Sequence, residues 1–407
     1  MSVPDRTAPF LRRVSIRNYK SIAKADVELG SFTILVGRNG AGKSNFLDAL
    51  HFVSDGLQSS LDHAIKARGG ASEITYRRAE SRSFAITLEI LLPERRIATY
   101  GFVVKAQSRG SFRVGTEFLD VHSESGSDVG HYLVERGEVS DSSIENPPPA
   151  QPDRLYLVSA SGFPEFRVVY DALSSMSFYN LNPDSMKILQ KPDAGELLHR
   201  DGSNLASVIA RLSAEHPQAQ ERLTQYLSAI VPGLEGVEKV SLGPLETVQF
   251  KLKRGTADHP LQFFAWSMSD GTLRALGSLV ATGQLAGGGS PVSLVGIEEP
   301  ETALHPAAAG VLMDALREAS SHTQILVTSH SPDLLDQVDL ETDRLLAVLA
   351  DEGVTKIAPI DKASLAAIQE HLYTPGELLR LDQLDPDPED LARQERESLP
   401  LVEDWEE

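Results

Sequence analysis

Apolar and polar positions alternate at the start of the chain, where Val14, Ile16 and Tyr19 are separated by polar residues and Val27 and Leu29 follow. A period of two predicts strands with one buried face. Phe32-Thr33-Ile34-Leu35-Val36 is then a short apolar run that ends in a glycine-rich turn, the pattern of a strand buried on both faces. From Ser44 onward Phe46, Leu47, Leu50, Phe52 and Val53 recur at helical spacing. Strand, loop and helix are therefore expected in that order. Alternation returns through residues 83–136, predicting antiparallel strands beside this unit. Between 165 and 230 the spacing turns helical, with Val169, Leu173 and Met176 and later Leu205, Val208, Ile209 and Leu212. Strands are expected again at 237–242 and 248–252, and residues 263–360 alternate helical patterns with apolar runs at 292–297 and 325–328.

Composition adds limits rather than chemistry. With 407 residues and 41% hydrophobic content the chain can bury one large core or two moderate ones. Residues 1–24 lack the apolar stretch of a secretory signal, and the weakly polar stretch 273–297 is interrupted by Gln284, Gly287-Gly288-Gly289 and Pro291. No membrane span and a cytoplasmic location are expected. The chain has no cysteine, which excludes disulfides and thiolate metal sites and fits a reducing compartment. Its net charge is −20, and residues 382–407 alone hold eleven Asp and Glu against two Arg. Such a chain lacks the overall basic footprint that phosphate contacts need, so DNA contact is expected to be local or supplied by a partner.

Four segments carry chemistry. Gly37-Arg38-Asn39-Gly40-Ala41-Gly42-Lys43-Ser44 fits a P-loop, with Asn45 following and the required strand before and helix after. Its amides are expected to close around phosphate oxygens, Lys43 to reach the β- and γ-phosphates, and the Ser44 hydroxyl to ligate Mg²⁺. The run 293–297 ends in Glu298-Glu299-Pro300-Glu301, and carboxylates at the carboxyl end of a buried parallel strand stand where open α/β sheets place their ligands. Glu298 is the candidate for Mg²⁺, directly or through water, and Glu299 for activating water. Read alone, the pair also fits an acidic first turn of a helix, the alternative to the catalytic reading. The apolar run at 325–327 leads to Thr328-Ser329-His330-Ser331-Pro332, where His330 is placed to hydrogen-bond a γ-phosphate or is simply a loop histidine. Ser267-Met268-Ser269-Asp270-Gly271-Thr272 precedes the apolar positions Leu273, Leu276, Leu279 and Val280, and reads as an anion site at a helix start or as an ordinary N-cap.

The order of these segments resembles that of ABC-type ATPase heads. With Ile16-Arg17-Asn18-Tyr19-Lys20-Ser21-Ile22 and Glu298-Glu299-Pro300-Glu301-Thr302-Ala303-Leu304-His305-Pro306, the chain is similar to the RecF-like and overcoming-lysogenization-defect group of stand-alone ATPases. That resemblance implies an α/β fold, an ABC-type P-loop ATPase head in which a mixed sheet is flanked by an antiparallel sheet and carries a helical insert. Residues 1–136 would form the N-terminal lobe, 137–153 a linker, 154–260 the insert and returning strands, 261–360 the C-terminal lobe, and 361–407 a C-terminal helix and acidic tail, partly disordered and dispensable for hydrolysis beyond Leu381.

The resemblance also assigns roles. Ser269, Asp270 and Gly271 match a signature that acts in trans on nucleotide held by a second protomer, Glu299 matches the catalytic glutamate, and His330 the switch histidine. ATP and Mg²⁺ are the implied cofactors. The implied partners are a second copy in an ATP-dependent homodimer or higher oligomer, and a separate Toprim-like nuclease, the latter from the segment 372–379. Glu298 stands where the wider group has aspartate, and no Q-loop glutamine is assigned. The expected role is a switch in phage defence or DNA repair; a nucleotide-gated scaffold with little turnover and a transporter ATPase subunit are the alternatives.

Overall fold

The computed structural model describes residues 10–79, 81–107, 110–253, 260–283, 292–397 and 399. The glycine-rich loop expected at 287–290 and the acidic residues 403–407 lie outside the described residues. The described residues form three sheets. A seven-stranded antiparallel sheet contains β1 (Leu11–Tyr19), β2 (Ile22–Glu28), β4 (Ser83–Leu92), β5 (Arg96–Ala106), β6 (Phe112–His122), β7 (Asp128–Glu135) and β8 (Glu138–Ser142), in the order β2-β1-β4-β5-β6-β7-β8. A six-stranded mixed sheet joins β3 (Phe32–Val36), β9 (Ser177–Tyr179), β13 (Leu294–Glu298), β14 (Gln324–Ser329), β15 (Arg344–Asp351) and β16 (Val354–Pro359), in the order β16-β15-β3-β14-β13-β9. The third sheet is the meander β10 (Leu234–Leu242), β11 (Leu245–Leu252) and β12 (Leu261–Phe264).

The helices are α1 (Lys43–Gln58), α2 (Leu61–Ala67), α3 (Ala71–Ile74), α4 (Tyr156–Ala160), α5 (Pro164–Ser174), α6 (Pro183–Lys187), α7 (Leu205–Glu215), α8 (Pro217–Ile230), α9 (Asp270–Gly283), α10 (Pro306–Ala319), α11 (Pro332–Leu335), α12 (Lys362–Gln369), α13 (Pro375–Arg380) and α14 (Pro388–Arg396). Among the described residues none is long and apolar enough to cross a membrane.

The mixed sheet explains why its central strands read as unbroken apolar runs, because strict alternation sends their side chains to two separate cores. Leu35, Leu294, Leu326 and Leu346 join the core shared with α1 and the antiparallel sheet. Phe32, Ile34, Val36, Val295, Ile297, Ile325 and Val327 join the core beneath α7 to α11. Helix α9, which the candidate signature heads, and the P-loop helix α1 therefore belong to opposite faces of one sheet.

Three expectations change. Ser177–Tyr179, read as part of a helical stretch, pairs in parallel with β13 as the edge strand of the mixed sheet. Residues 137–153, read as a linker, contain β8, which pairs with β7. The acidic tail is also ordered as far as Glu397. The Gln394 side chain accepts from the Asp26 amide at 3.0 Å and donates to the Ile357 carbonyl at 2.8 Å, which seats α14 against β2 and β16. Two backbone groups satisfied by one buried amide outweigh the repulsion that composition alone anticipates.

Candidate functional site

The P-loop leaves β3 at Gly37 and enters α1 through Gly42, whose φ of 106° is a left-handed value. A Cβ at Gly42 would stand 2.0 Å from Thr355 Oγ1, so this turn both needs glycine's backbone freedom and leaves no room for a side chain. Thr355 braces the loop: its Oγ1 donates to the Ala41 carbonyl at 2.9 Å and lies 2.7 Å from Ser21 Oγ. Asn45 Nδ2 donates to that same Ser21 oxygen at 2.6 Å. The segment 16–22 thus supports the loop from the β1–β2 turn. Arg38, Asn39 and Gly40 are exposed at the loop's crest, and Arg38 pairs with Asp382 at 3.0 Å. Ser44 is exposed in the first turn of α1.

Lys43 is buried, and its ammonium donates to the carbonyls of Gly37 at 2.7 Å and Arg38 at 3.1 Å. Burial lowers its pKa, opposed by the carboxylates of Glu299 and Glu301. Those carboxylates come from the loop after β13. Glu299 sits at φ 45°, with its amide donating to the Thr328 carbonyl at 3.0 Å. A non-glycine residue held there turns sharply off its strand, a conformation that clusters at functional sites. His330 Nδ1 lies 3.0 Å from Glu299 Oε1, within ion-pair reach but not aligned as a hydrogen bond. The P-loop lysine, the candidate base and the candidate switch histidine therefore meet at the carboxyl ends of β3, β13 and β14, three adjacent parallel strands.

Glu298 ends β13 and accepts from Arg200 Nη2 at 3.1 Å, and Arg200 also approaches His51 of α1 at 3.3 Å. Glu301, quoted in the sequence without a role, is buried; burial raises its pKa against the hydrogen bond from Ser329 Oγ at 2.5 Å. Its Oε2 has no hydrogen-bond partner among the described residues. A buried carboxylate oxygen left without a partner, with the Ser44 hydroxyl at the start of α1 and Glu298 at the end of β13, supplies the hard oxygen donors that Mg²⁺ accepts.

The candidate signature heads α9. Ser269 Oγ accepts from the Thr272 amide at 3.2 Å and so caps α9, while Asp270 pairs with Lys187. A Cβ on Gly271 would lie 2.2 Å from the Ala303 carbonyl, so the start of α9 presses directly on the loop that follows Glu301. A cavity of about 410 Å³ lies between this helix and the end of β9, lined by Asn180, Leu181, Asn182, Arg200, Asp201 and Arg274. Asn180 follows β9 one residue beyond its pairing with Ile297, level with Glu298. Sequence reasoning missed Thr355, Arg200 and Asn180 because nothing local marks them; strand pairing places Thr355 and Asn180, and the Asn180 amide, donating to the Arg200 carbonyl at 2.9 Å, ties Arg200 beside them.

Residues 10–209 match the family described as AAA ATPase domain, and residues 172–336 match "AAA domain, putative AbiEii toxin, Type IV TA system". The DNA replication and repair protein RecF of Gloeobacter violaceus is 33% identical over 111 residues, 26% of this chain and 26% of that protein. The chromosome partition protein Smc of Methanocaldococcus jannaschii is 34% identical over 76 residues, 18% of this chain and 6% of that protein. The matches thus span about a quarter of that RecF and far less of that Smc. In solved structures, an Smc head bound to the C-winged helix domain of ScpA covers 88% of this chain and 99% of its own at 14% identity, with a TM-score of 0.53. The Smc head with an extended coiled coil from Pyrococcus furiosus, bound to the C-terminal domain of ScpA, covers 89% and 99% at 13% identity, with a TM-score of 0.51. Those two likenesses show the fold, an ABC-type ATPase head, and the family and RecF matches make the chain a P-loop ATPase that is similar to the RecF-like ones.

Proposed function

We propose that the protein hydrolyses Mg-ATP at two composite sites of a head-to-tail homodimer, and that this cycle switches a partner in phage defence or DNA repair, with a separate Toprim-like nuclease as the effector. The observation that carries the reading is the division of the site: Lys43, Glu299 and His330 converge on one end of the mixed sheet, whereas α9, headed by Ser269, belongs to its other face. A signature that does not serve its own P-loop is complete only against a second copy.

In this reading the amides of residues 38–44 and the start of α1 bind phosphate oxygens, and Lys43 exchanges its two loop carbonyls for the β- and γ-phosphates. Ser44, Glu298 and Glu301 would hold Mg²⁺, which when bound neutralises charge on the phosphates. Glu299, turned off β13, takes the proton of the attacking water, and His330 beside it donates to the γ-phosphate. The partner's Ser269 and the amides at the head of its α9 supply the remaining donors.

Two variants test the arrangement. Glu299→Gln should retain ATP binding and slow hydrolysis by about 10²- to 10⁴-fold, the range for a lost general base; unchanged turnover would remove Glu299 from the role. Lys43→Ala and Ser269→Arg should each be inactive alone. Mixed, they place both lesions in one composite site and none in the other, so activity should return to at most half of the wild-type sites. No recovery despite demonstrated heterodimers would overturn independent trans sites.

A further inference from the structure

The end of β13 and the loop after it gather three carboxylates, Glu298, Glu299 and Glu301, at the place where bound phosphates add more negative charge. The P-loop lysine interacts with two of them, Glu299 and Glu301. Glu298 is served by a different cation from a different part of the chain. Its Oε1 accepts from Arg200 Nη2 at 3.1 Å, and the two side chains form an ion pair. Arg200 belongs to none of the segments that carry the nucleotide chemistry.

Its position is nevertheless fixed from both ends. The Asn180 amide donates to the Arg200 carbonyl at 2.9 Å and the Asn182 amide to the Asp201 carbonyl at 3.1 Å, which fastens this turn to the residues that follow β9, the neighbour of β13. The Gly202 amide closes the turn on the His199 carbonyl at 2.9 Å. At the other end the guanidinium reaches α1, where Nη1 lies 3.3 Å from His51 Nδ1, an atom that Arg68 Nη2 also approaches at 3.1 Å. A guanidinium offers no acceptor, so Nδ1 accepts and the ring proton sits on Nε2, which faces Asp55 at 3.1 Å. Ser44 and His51 are about two turns apart on α1 and therefore share one side of that helix. Arg200 thus holds Glu298 against α1 well beyond Ser44, the hydroxyl with which Glu298 would share a cation.

We propose that Arg200 is the counter-charge of Glu298 in the metal-free site, neutralising the carboxylate until Mg²⁺ arrives, and that Glu298 leaves Arg200 to serve the ion. This rests on the reading above in which Glu298 holds Mg²⁺. One ion pair then has opposite effects in the two states. Without metal, Arg200 cancels charge that would repel the phosphates, so nucleotide binds better than three bare carboxylates would allow. With metal, Arg200 competes for Glu298, and part of the ion's attraction goes into separating the pair. Arg200 therefore narrows the gap between metal-free and metal-bound nucleotide affinity. An arginine that only oriented Glu298 toward the ion would widen that gap.

The gap is read as the ratio of the ATP dissociation constant in EDTA to that in saturating Mg²⁺, measured by equilibrium dialysis in the Glu299→Gln background so that hydrolysis does not intrude. Arg200 is 44% exposed, so its truncation opens no core cavity. Arg200→Met, which keeps the stem and removes the charge, should raise the ratio about tenfold, mainly by weakening metal-free binding. Arg200→Gln should do the same, and Arg200→Lys should stay near the parent. Glu298→Gln should lower the ratio, and adding Arg200→Met to it should change nothing further, because the charge that Arg200 balances is gone. Equal weakening of both affinities in Arg200→Met would make the residue a brace of its turn and overturn the proposal. A lower ratio in that variant would make it a clamp that aims Glu298 at the ion, and would overturn the proposal as well. In both cases a lowered ratio in Glu298→Gln leaves the metal reading standing. A Glu298→Gln ratio equal to the parent's removes Glu298 from the metal, and the underlying reading falls together with the proposal.

Discussion

Two buried side chains away from the reacting groups decide how the site is held. Thr355 spends its hydroxyl on the Ala41 carbonyl and on Ser21. Thr355→Val keeps the shape and leaves that carbonyl unpaired, a cost of about 1–3 kcal/mol. Because the strain falls on the P-loop, ATP affinity should drop by roughly tenfold, read by nucleotide titration; unchanged affinity would reduce the brace to packing. Glu117 of β6 is fully buried and pushed up to about 7 by burial, although the Tyr100 and Tyr132 hydroxyls and the amides of Tyr156 and Leu157 all donate to it. Its folded pKa exceeds its unfolded value near 4.5. The unfolded chain therefore binds fewer protons between those values, and stability from this group is fully present below about 4.5 and lost as pH rises to about 7. At 1.36 kcal/mol per unit that is roughly 3 kcal/mol. The stability difference between wild type and Glu117→Gln should fall by that order across this window in denaturant titrations, and a flat difference would count against it.

At the scale of elements, what could be read in advance followed local periodicity, and what could not depended on partners. β3, β13 and β14 were visible because strands buried on both faces are apolar without interruption. The P-loop, Glu299 and His330 were legible because each directly follows such a strand. β9 was not: three residues flanked by α5 and α6 carry no period, and only pairing with β13 makes them a strand. β8 was hidden for a related reason, since its exposed edge position permits a polar sequence. Ser269 reads as both cap and signature, and the structure shows the cap directly. The contact of Gly271 with the Ala303 carbonyl was not legible at all. Gly271→Ala must push α9 away from the loop after Glu301, at about 1–3 kcal/mol for an overpacked contact. ATPase activity should suffer well beyond ATP binding, because the P-loop helix lies in the other core. Equal losses in both would separate α9 from catalysis.

Across the whole molecule, residues 375–397 are a structural strap rather than a free tail. α14 lies on β2 and β16, α13 on α11, and Asp382 on Arg38, so the segment touches the supports of the P-loop and the helix after His330 together. Gln394→Ala should cost about 1–3 kcal/mol through its two orphaned backbone partners, measurable as a lower denaturant midpoint. A wild-type midpoint would return the segment to the dispensable tail that its composition predicts.

The order β15-β3-β14 has a consequence for how the protein is made. β3 has no neighbour from the first half of the chain, since both strands that flank it lie beyond residue 320. A ribosome adding roughly 5–20 residues per second takes about 15–60 s to pass from Val36 to Gln324. During that interval β1, β2 and β4 to β8 can close their antiparallel sheet, by neighbouring hairpins everywhere but at the β1–β4 seam, while the apolar strand that will carry the P-loop waits with both edges open. Nascent chains stalled before β14 therefore expose an aggregation-prone segment and are the natural clients of a chaperone.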